Sequence, residues 1–138
     1  MQEQFPKQFL FKATLTPKSG LGNANFAQNT YKEVFSKRGR LELSKIAGQS
    51  IRSIDDLAGA LKSGGVKASD IPVNYILRGG NKLILNTRTA QALQRAGISR
   101  SRWNAINRTG NSLFEKLLTG QLQRNKLTSQ GVLNPISQ

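Results

Sequence analysis

Residues 73 to 86, Val-Asn-Tyr-Ile-Leu-Arg-Gly-Gly-Asn-Lys-Leu-Ile-Leu-Asn, constrain the fold of this 138-residue chain more than any other stretch. Val73, Tyr75 and Leu77 alternate with Asn74, Ile76 and Arg78, which is the period of a strand. Gly79-Gly80-Asn81 follows, and these residue types accept the positive φ of a hairpin turn. A return strand from Lys82 to Asn86 is predicted, with Lys82 and Asn86 on the face opposite Leu83 and Leu85. The strand then runs into Asn86-Thr87-Arg88-Thr89, a polar row at the start of a helix. Such a row is either a helix cap or a site.

The flanking segments read mainly as helices. Ser53 precedes Ile54, Leu57, Ala58 and Leu61 at helical spacing, Asp55 and Asp56 suit the positive end of the helix dipole, and Gly64-Gly65 stops the helix. Asp70-Ile71-Pro72 is a turn. Thr87 or Thr89 is expected to cap a helix carrying Ala90, Leu93 and Ala96, closed by Gly97 at C′. Ser99 to Ile106 reads as a short helix or turn around Trp103, Asn107 to Asn111 as a polar loop, and Ser112 to Arg124 as an amphipathic helix. Upstream, Gln8 to Thr16 alternates like a strand, and Pro17 to Asn29 has loop composition. The Thr30-x-x-Glu33 pattern resembles a capping box opening a short helix, Tyr31 to Lys37, that buries Tyr31, Val34 and Phe35. The expectation is a single α+β domain, with a small, partly antiparallel sheet flanked by helices. Residues 1–29 would be a linker or loosely packed segment, 30–125 the core, and 126–138 a loosely held tail.

Charge sets the functional classes. Twenty-one Lys and Arg face 7 Asp and Glu, a net charge of +14. Leu41 to Asp70 is balanced, whereas Ile71 to Phe114 holds no acid and carries Arg78, Lys82, Arg88, Arg95, Arg100, Arg102 and Arg108. A one-sided, arginine-rich block suits phosphate backbones, because the guanidinium fork matches the anion. A basic surface serving solubility is the plainer alternative. No apolar run approaches a membrane span, and the start, Met1-Gln2-Glu3-Gln4-Phe5-Pro6, has neither the basic nor the apolar region of a secretion signal. With neither cysteine nor histidine, thiolate chemistry and the usual neutral-pH acid/base are absent, and any catalysis must run without imidazole.

Three segments, "NANFAQNTYKEVFSKRGR", "IRSIDDLAGALKSGGVKASDIPVNYILRGGNKLILNTRTAQALQRAGISRSRWNAINRTG" and "QLQRNKLTSQG", resemble the C-terminal toxin domains of large bacterial polymorphic toxins. These are contact-dependent growth inhibition proteins of the CdiA type, filamentous-haemagglutinin-like exoproteins and Rhs proteins. The resemblance implies an effector carried on a secreted or cell-surface exoprotein and delivered to the target-cell cytoplasm. It also implies an acidic cognate immunity protein as partner and allows for a host-cell activating protein, without stable membrane association of the isolated domain. The barnase/EndoU/colicin/RelE-type fold that recurs among such tips is one form the sheet could take. The stretch from Gly64 to Ile98 is similar to ParB/sulfiredoxin-type domains, whose polar corner after a strand faces phosphate, although Thr89 stands where that family has a second arginine.

Taken together, these features point to a metal-independent ribonuclease acting on tRNA and needing no cofactor, since the acid-free block offers no carboxylate pair for Mg²⁺. Attack by the 2′-hydroxyl needs in-line geometry, a proton acceptor and charge stabilisation, all available without histidine. The candidate catalytic residues are Lys82, Asn86, Thr87, Arg88, Arg108 and Thr109: Arg88 to clamp phosphate, Lys82 to neutralise charge or accept the proton, Thr87 or Thr109 to orient the attacking group. Arg78, Arg100, Arg102, Trp103 and Asn107 are candidate nucleic-acid contacts, Trp103 either stacking a base or anchoring the core. Tyr75 is a candidate acid/base, although its phase with Val73 and Leu77 favours the core, and Lys37-Arg38-Gly39-Arg40 is a charged loop or a further phosphate contact. A non-catalytic nucleic-acid-binding module, and a toxin acting on DNA or on a nucleotide through the polar corner, stay open as alternatives.

Overall fold

The computed structural model describes residues 20–138, so the strand expected over Gln8 to Thr16 lies outside the described residues. The hairpin forms as the sequence predicts. Strands β3 (Pro72–Arg78) and β4 (Asn81–Ile84) pair antiparallel, with Arg78 opposite Asn81 across Gly79-Gly80. Both glycines have positive φ, 59° and 79°, the conformation that matches the right-handed twist of a hairpin. Two short strands complete a four-stranded mixed sheet: β1 (Asn25–Phe26) runs parallel to β4, and β5 (Asn104–Asn107) parallel to β3, in the order β1-β4-β3-β5. The domain is therefore α+β, with four α-helices around this sheet among the described residues.

Helices cover both faces, which explains why simple alternation underestimates burial along β3. The register places Val73, Tyr75 and Ile84 on one face, where α2 (Ile54–Ser63) and α3 (Thr87–Arg95) build the larger core with Leu57, Leu61, Ala90 and Leu93. On the other face Ile76, Leu83 and Leu85 pack against Leu118 and Leu122 of α4 (Ser112–Arg124). Ile76, grouped by phase with polar neighbours, is fully buried, whereas Leu77 is exposed. Burial of these aliphatic side chains is worth roughly 2 kcal/mol each.

Three local expectations are corrected. The Thr30-x-x-Glu33 box does not open a helix: Thr30–Tyr31 form strand β2, and Glu33 pairs with Arg95. The helix begins later, as α1 (Lys37–Ala47), with the Ser36 hydroxyl accepting from the Gly39 amide. Residues 37–40 are thus its first turn and not a loop. Within the Pro17 to Asn29 region, loop-like in composition, the described residues put Leu21, Ala24, Phe26 and Ala27 into the interior. Finally, the chain after α4 is tied down: strand β6 (Ile136–Ser137) pairs parallel with β2, and Phe26 and Val132 exchange backbone hydrogen bonds. Gly131 permits that last contact, since a Cβ there would collide with the Phe26 carbonyl.

Candidate functional site

The corner from strand β4 into α3 is built by one asparagine. The Asn86 Oδ1 accepts from the Asn74 amide at 2.8 Å, and its Nδ2 donates to the Pro72 carbonyl at 2.8 Å. Its side chain thus extends the ladder along β3 after the main chain has turned away. It therefore has nothing left to cap α3, and the two threonines do not cap either, because Thr87 and Thr89 lie inside the first turn. The first helical bond runs from Ala90 to the Asn86 carbonyl. Among the described residues, the amides of Thr87, Arg88 and Thr89 find no acceptor, so the positive end of the helix dipole stays open.

These residues line a cavity of about 280 Å³, closed on the far side by Phe35, Ser36, Glu42 and Leu43 of the α1 region and by Gln121 of α4. Two polar atoms in its lining are buried without a partner, Thr87 Oγ1 and Gln121 Oε1. Thr87 is 1% exposed and Gln121 8%. Buried polar groups are ordinarily hydrogen-bonded, and leaving one unmatched costs about 1–3 kcal/mol. The Gln121 Nε2 donates to the Leu85 carbonyl at 3.2 Å, which leaves the amide oxygen without a partner. Arg88 donates to the Val34 carbonyl at 2.6 Å, and partial burial pushes its pKa down. It also borders a second hollow of about 640 Å³ that Lys32 and Arg40 share. Arg40 in turn donates to the Phe35 carbonyl at 2.7 Å.

The other candidates fall into separate places. Arg108 stands closest to the corner: its Nε donates to Asn74 Oδ1 at 2.9 Å, and its guanidinium lies 4.7 Å from the Phe114 ring centroid. Thr109 accepts from the Leu77 amide and donates to Asn107 Oδ1, so both side chains shape the turn after β5. Arg78 is held by Glu115 at 2.7 Å and by Thr119. The Glu115 pKa is lowered, first by the Gly110 amide and then by Arg78. Arg100 donates to the Leu21 and Ala24 carbonyls between the rings of Phe26 and Trp103, and burial lowers its pKa. Trp103 is 4% exposed with its indole N–H on the Ile98 carbonyl, so it anchors the core and has no free face for a base. Arg102 is exposed. Lys82 lies on the hairpin, beside Tyr75 and Gly20, away from the cavity lining.

The acid-free block is thus less one-sided in space than in sequence, because Glu115 reaches Arg78 and Glu33 and Asp55 reach Arg95. Two cavity residues escaped sequence reasoning, Glu42 and Gln121. Gln121 carried a readable signal, since it falls on the same helical face as Leu118 and Leu122, where a polar residue is out of place. Among the described residues, no three His, Cys, Asp or Glu side chains converge as metal ligands would, and no helix is long and apolar enough to cross a membrane. Comparison with protein-family models, curated proteins and solved structures finds no match to this chain.

Proposed function

We propose that this domain is a bacterial toxin effector that cleaves RNA, with tRNA as its substrate, at the open N-terminus of α3. One observation carries the reading: Thr87, Arg88 and Thr89, whose amides are unmatched, line one cavity that Glu42 also borders, an exposed carboxylate paired with Arg38 at 3.1 Å. Helix N-termini and guanidinium forks are matched to phosphate oxygens. The toxin role and the immunity partner rest on the resemblance to polymorphic-toxin tips, and the net charge of +14 suits both RNA and an acidic inhibitor.

In the proposed reaction the 2′-hydroxyl attacks the adjacent phosphorus while Glu42 accepts its proton. The P–O5′ bond breaks, and the leaving 5′-oxygen takes a proton from solvent, giving a 2′,3′-cyclic phosphate and a 5′-hydroxyl. Arg88 and the amides of α3 stabilise the added charge on the phosphorane, where preorganised donors act most strongly. Glu42 takes the role that the sequence reading gave to Lys82, which lies outside this cavity.

The test is incubation of the protein with total bacterial RNA and with plasmid DNA, in Mg²⁺ or EDTA, with mapping of the cut ends. Discrete tRNA fragments with cyclic phosphate ends in EDTA are expected. Intact RNA throughout would overturn the reading. Glu42→Gln should lower the cleavage rate by about 100-fold or more if Glu42 is the proton acceptor. Arg88→Lys keeps the charge but loses the fork, so it should cleave more slowly than wild type. Wild-type rates in that variant would remove Arg88 from the site.

A further inference from the structure

We infer that the hollow beside the cavity is a second phosphate subsite, which takes the neighbouring phosphate of the same RNA strand. This rests on the proposed placement of the scissile phosphate at α3. The cavity and the hollow adjoin along a shared wall of Gln28, Phe35, Ser36 and Arg88, so a strand held in the first continues into the second. The hollow, about 640 Å³, has room for a sugar as well as a phosphate. The side chains lining it include three cations, Lys32, Arg40 and Arg88, and no carboxylate. Two of these cations are fixed by consecutive carbonyls of the segment leading into α1, since Arg88 donates to Val34 and Arg40 to Phe35. One N–H of each guanidinium is used there, out of five. Among the described residues no carboxylate pairs with any of the three, whereas acids neutralise both Arg78 and Arg95. Much of the neutral polar wall is already matched within the fold. Asn125 Nδ2 donates to the Gln121 carbonyl while its Oδ1 accepts from the Asn29 amide, and Gln138 Nε2 donates to Thr30 Oγ1. What the hollow leaves to a ligand is positive charge held in place, with the planar forks that suit phosphate oxygens.

The experiment is calorimetric titration of the wild-type protein with adenosine 3′,5′-bisphosphate and with the 3′- and 5′-monophosphates, which hold no bond for the enzyme to break. The bisphosphate should bind at least about tenfold tighter than the better monophosphate, the gain expected from one further charge-assisted contact. Lys32→Gln and Arg40→Gln should each cut that gain to within about threefold. The Lys32 side chain is exposed and has no partner among the described residues, so its variant reports on binding and not on folding. Lys62→Gln, which removes an exposed cation in the last turn of α2, should keep the gain. No binding, no gain from the second phosphate, a gain that survives in Lys32→Gln or Arg40→Gln, or an equal loss in Lys62→Gln would overturn the inference. RNA cleavage assayed on the same preparation separates the two readings: cleavage without the gain leaves the ribonuclease standing and removes the second subsite, and the gain without cleavage does the reverse.

Discussion

Two helices of this domain begin a strand-length apart in character. At α2 every rule of helix initiation is followed. Ser53 Oγ accepts from the Asp56 amide at 3.2 Å, the Asp56 carboxylate accepts from Ser53 and Arg52, and Asp55 and Asp56 sit in the first turn. At α3 every one of those rules is broken: the N-cap side chain is used elsewhere, no acid lies in the first turn, and an arginine takes its place. The sealed end can only hold the fold together. The open end leaves its donors unmatched within the chain, the kind of break in local consistency that functional sites carry.

The comparison breaks first at Arg88. Arg88→Ala should reduce RNA cleavage by about 100-fold, the usual loss when one donor to a developing oxyanion is removed. An equivalent change at the other end, Asp56→Ala, should leave cleavage at the wild-type rate, measured by single-turnover kinetics on a labelled tRNA. A loss at both ends would mean that the difference between the two termini is structural only. Next comes Asn86, which belongs to the fold despite its place in the corner. Asn86→Ala removes two hydrogen bonds and strands the Asn74 amide and Pro72 carbonyl, at a cost of about 2 kcal/mol in urea unfolding.

How far these features could be read in advance depended on the distance over which each is determined. The Gly79-Gly80 hairpin, α2 with its Ser53 cap and α4 from Ser112 to Arg124 follow from neighbours in the chain, and they stand where the pattern placed them. The start of α1 was hidden, because Glu33, the last residue of an apparent capping box, is claimed by Arg95 sixty-two positions away. Its charged first turn, Lys37 to Arg40, and its one buried residue, Leu43, gave no strong periodic signal either. The pairing of Ile136–Ser137 with Thr30–Tyr31 has the same long-range cause. In the site, the corner residues were visible from composition, whereas Glu42 and Gln121 join them only through the packing of α1 and α4.

The sealed terminus makes a smaller and purely structural prediction. Ser53→Ala should lower stability by about 1 kcal/mol without changing cleavage. The ion cluster that joins α3 to the strand segment below it gives a pH signature. Hydrogen bonds from Arg95, then from Ser137, hold the Glu33 carboxyl at about 2, below its ordinary 4.5. A depressed carboxylate stabilises the fold above its unfolded pKa and loses that contribution as pH falls through its folded pKa. The contribution of Glu33 is therefore complete above pH 4.5 and declines toward about pH 2. Glu33→Gln should flatten the stability profile across that window. With side-chain exposures of 29% and 39% the pair is screened by salt, so the difference should shrink in 1 M NaCl.

Thr87→Val has the smallest expected effect on stability and the most informative sign. Threonine and valine share a shape, so the substitution exchanges only the hydroxyl for a methyl group. At a satisfied buried position that exchange destabilises, because it deletes a hydrogen bond. At Thr87, 1% exposed and without a partner, the hydroxyl costs desolvation and returns nothing in the free protein. The variant should therefore be more stable than wild type by about 0.5–1 kcal/mol in urea unfolding, while phosphate binding at α3 weakens. A gain in stability together with a loss of binding would show that the first turn of α3 is kept open for a ligand at the expense of the fold. Destabilisation would mean that the Thr87 hydroxyl is satisfied within the protein, and the contrast with the sealed end of α2 would lose its strongest support.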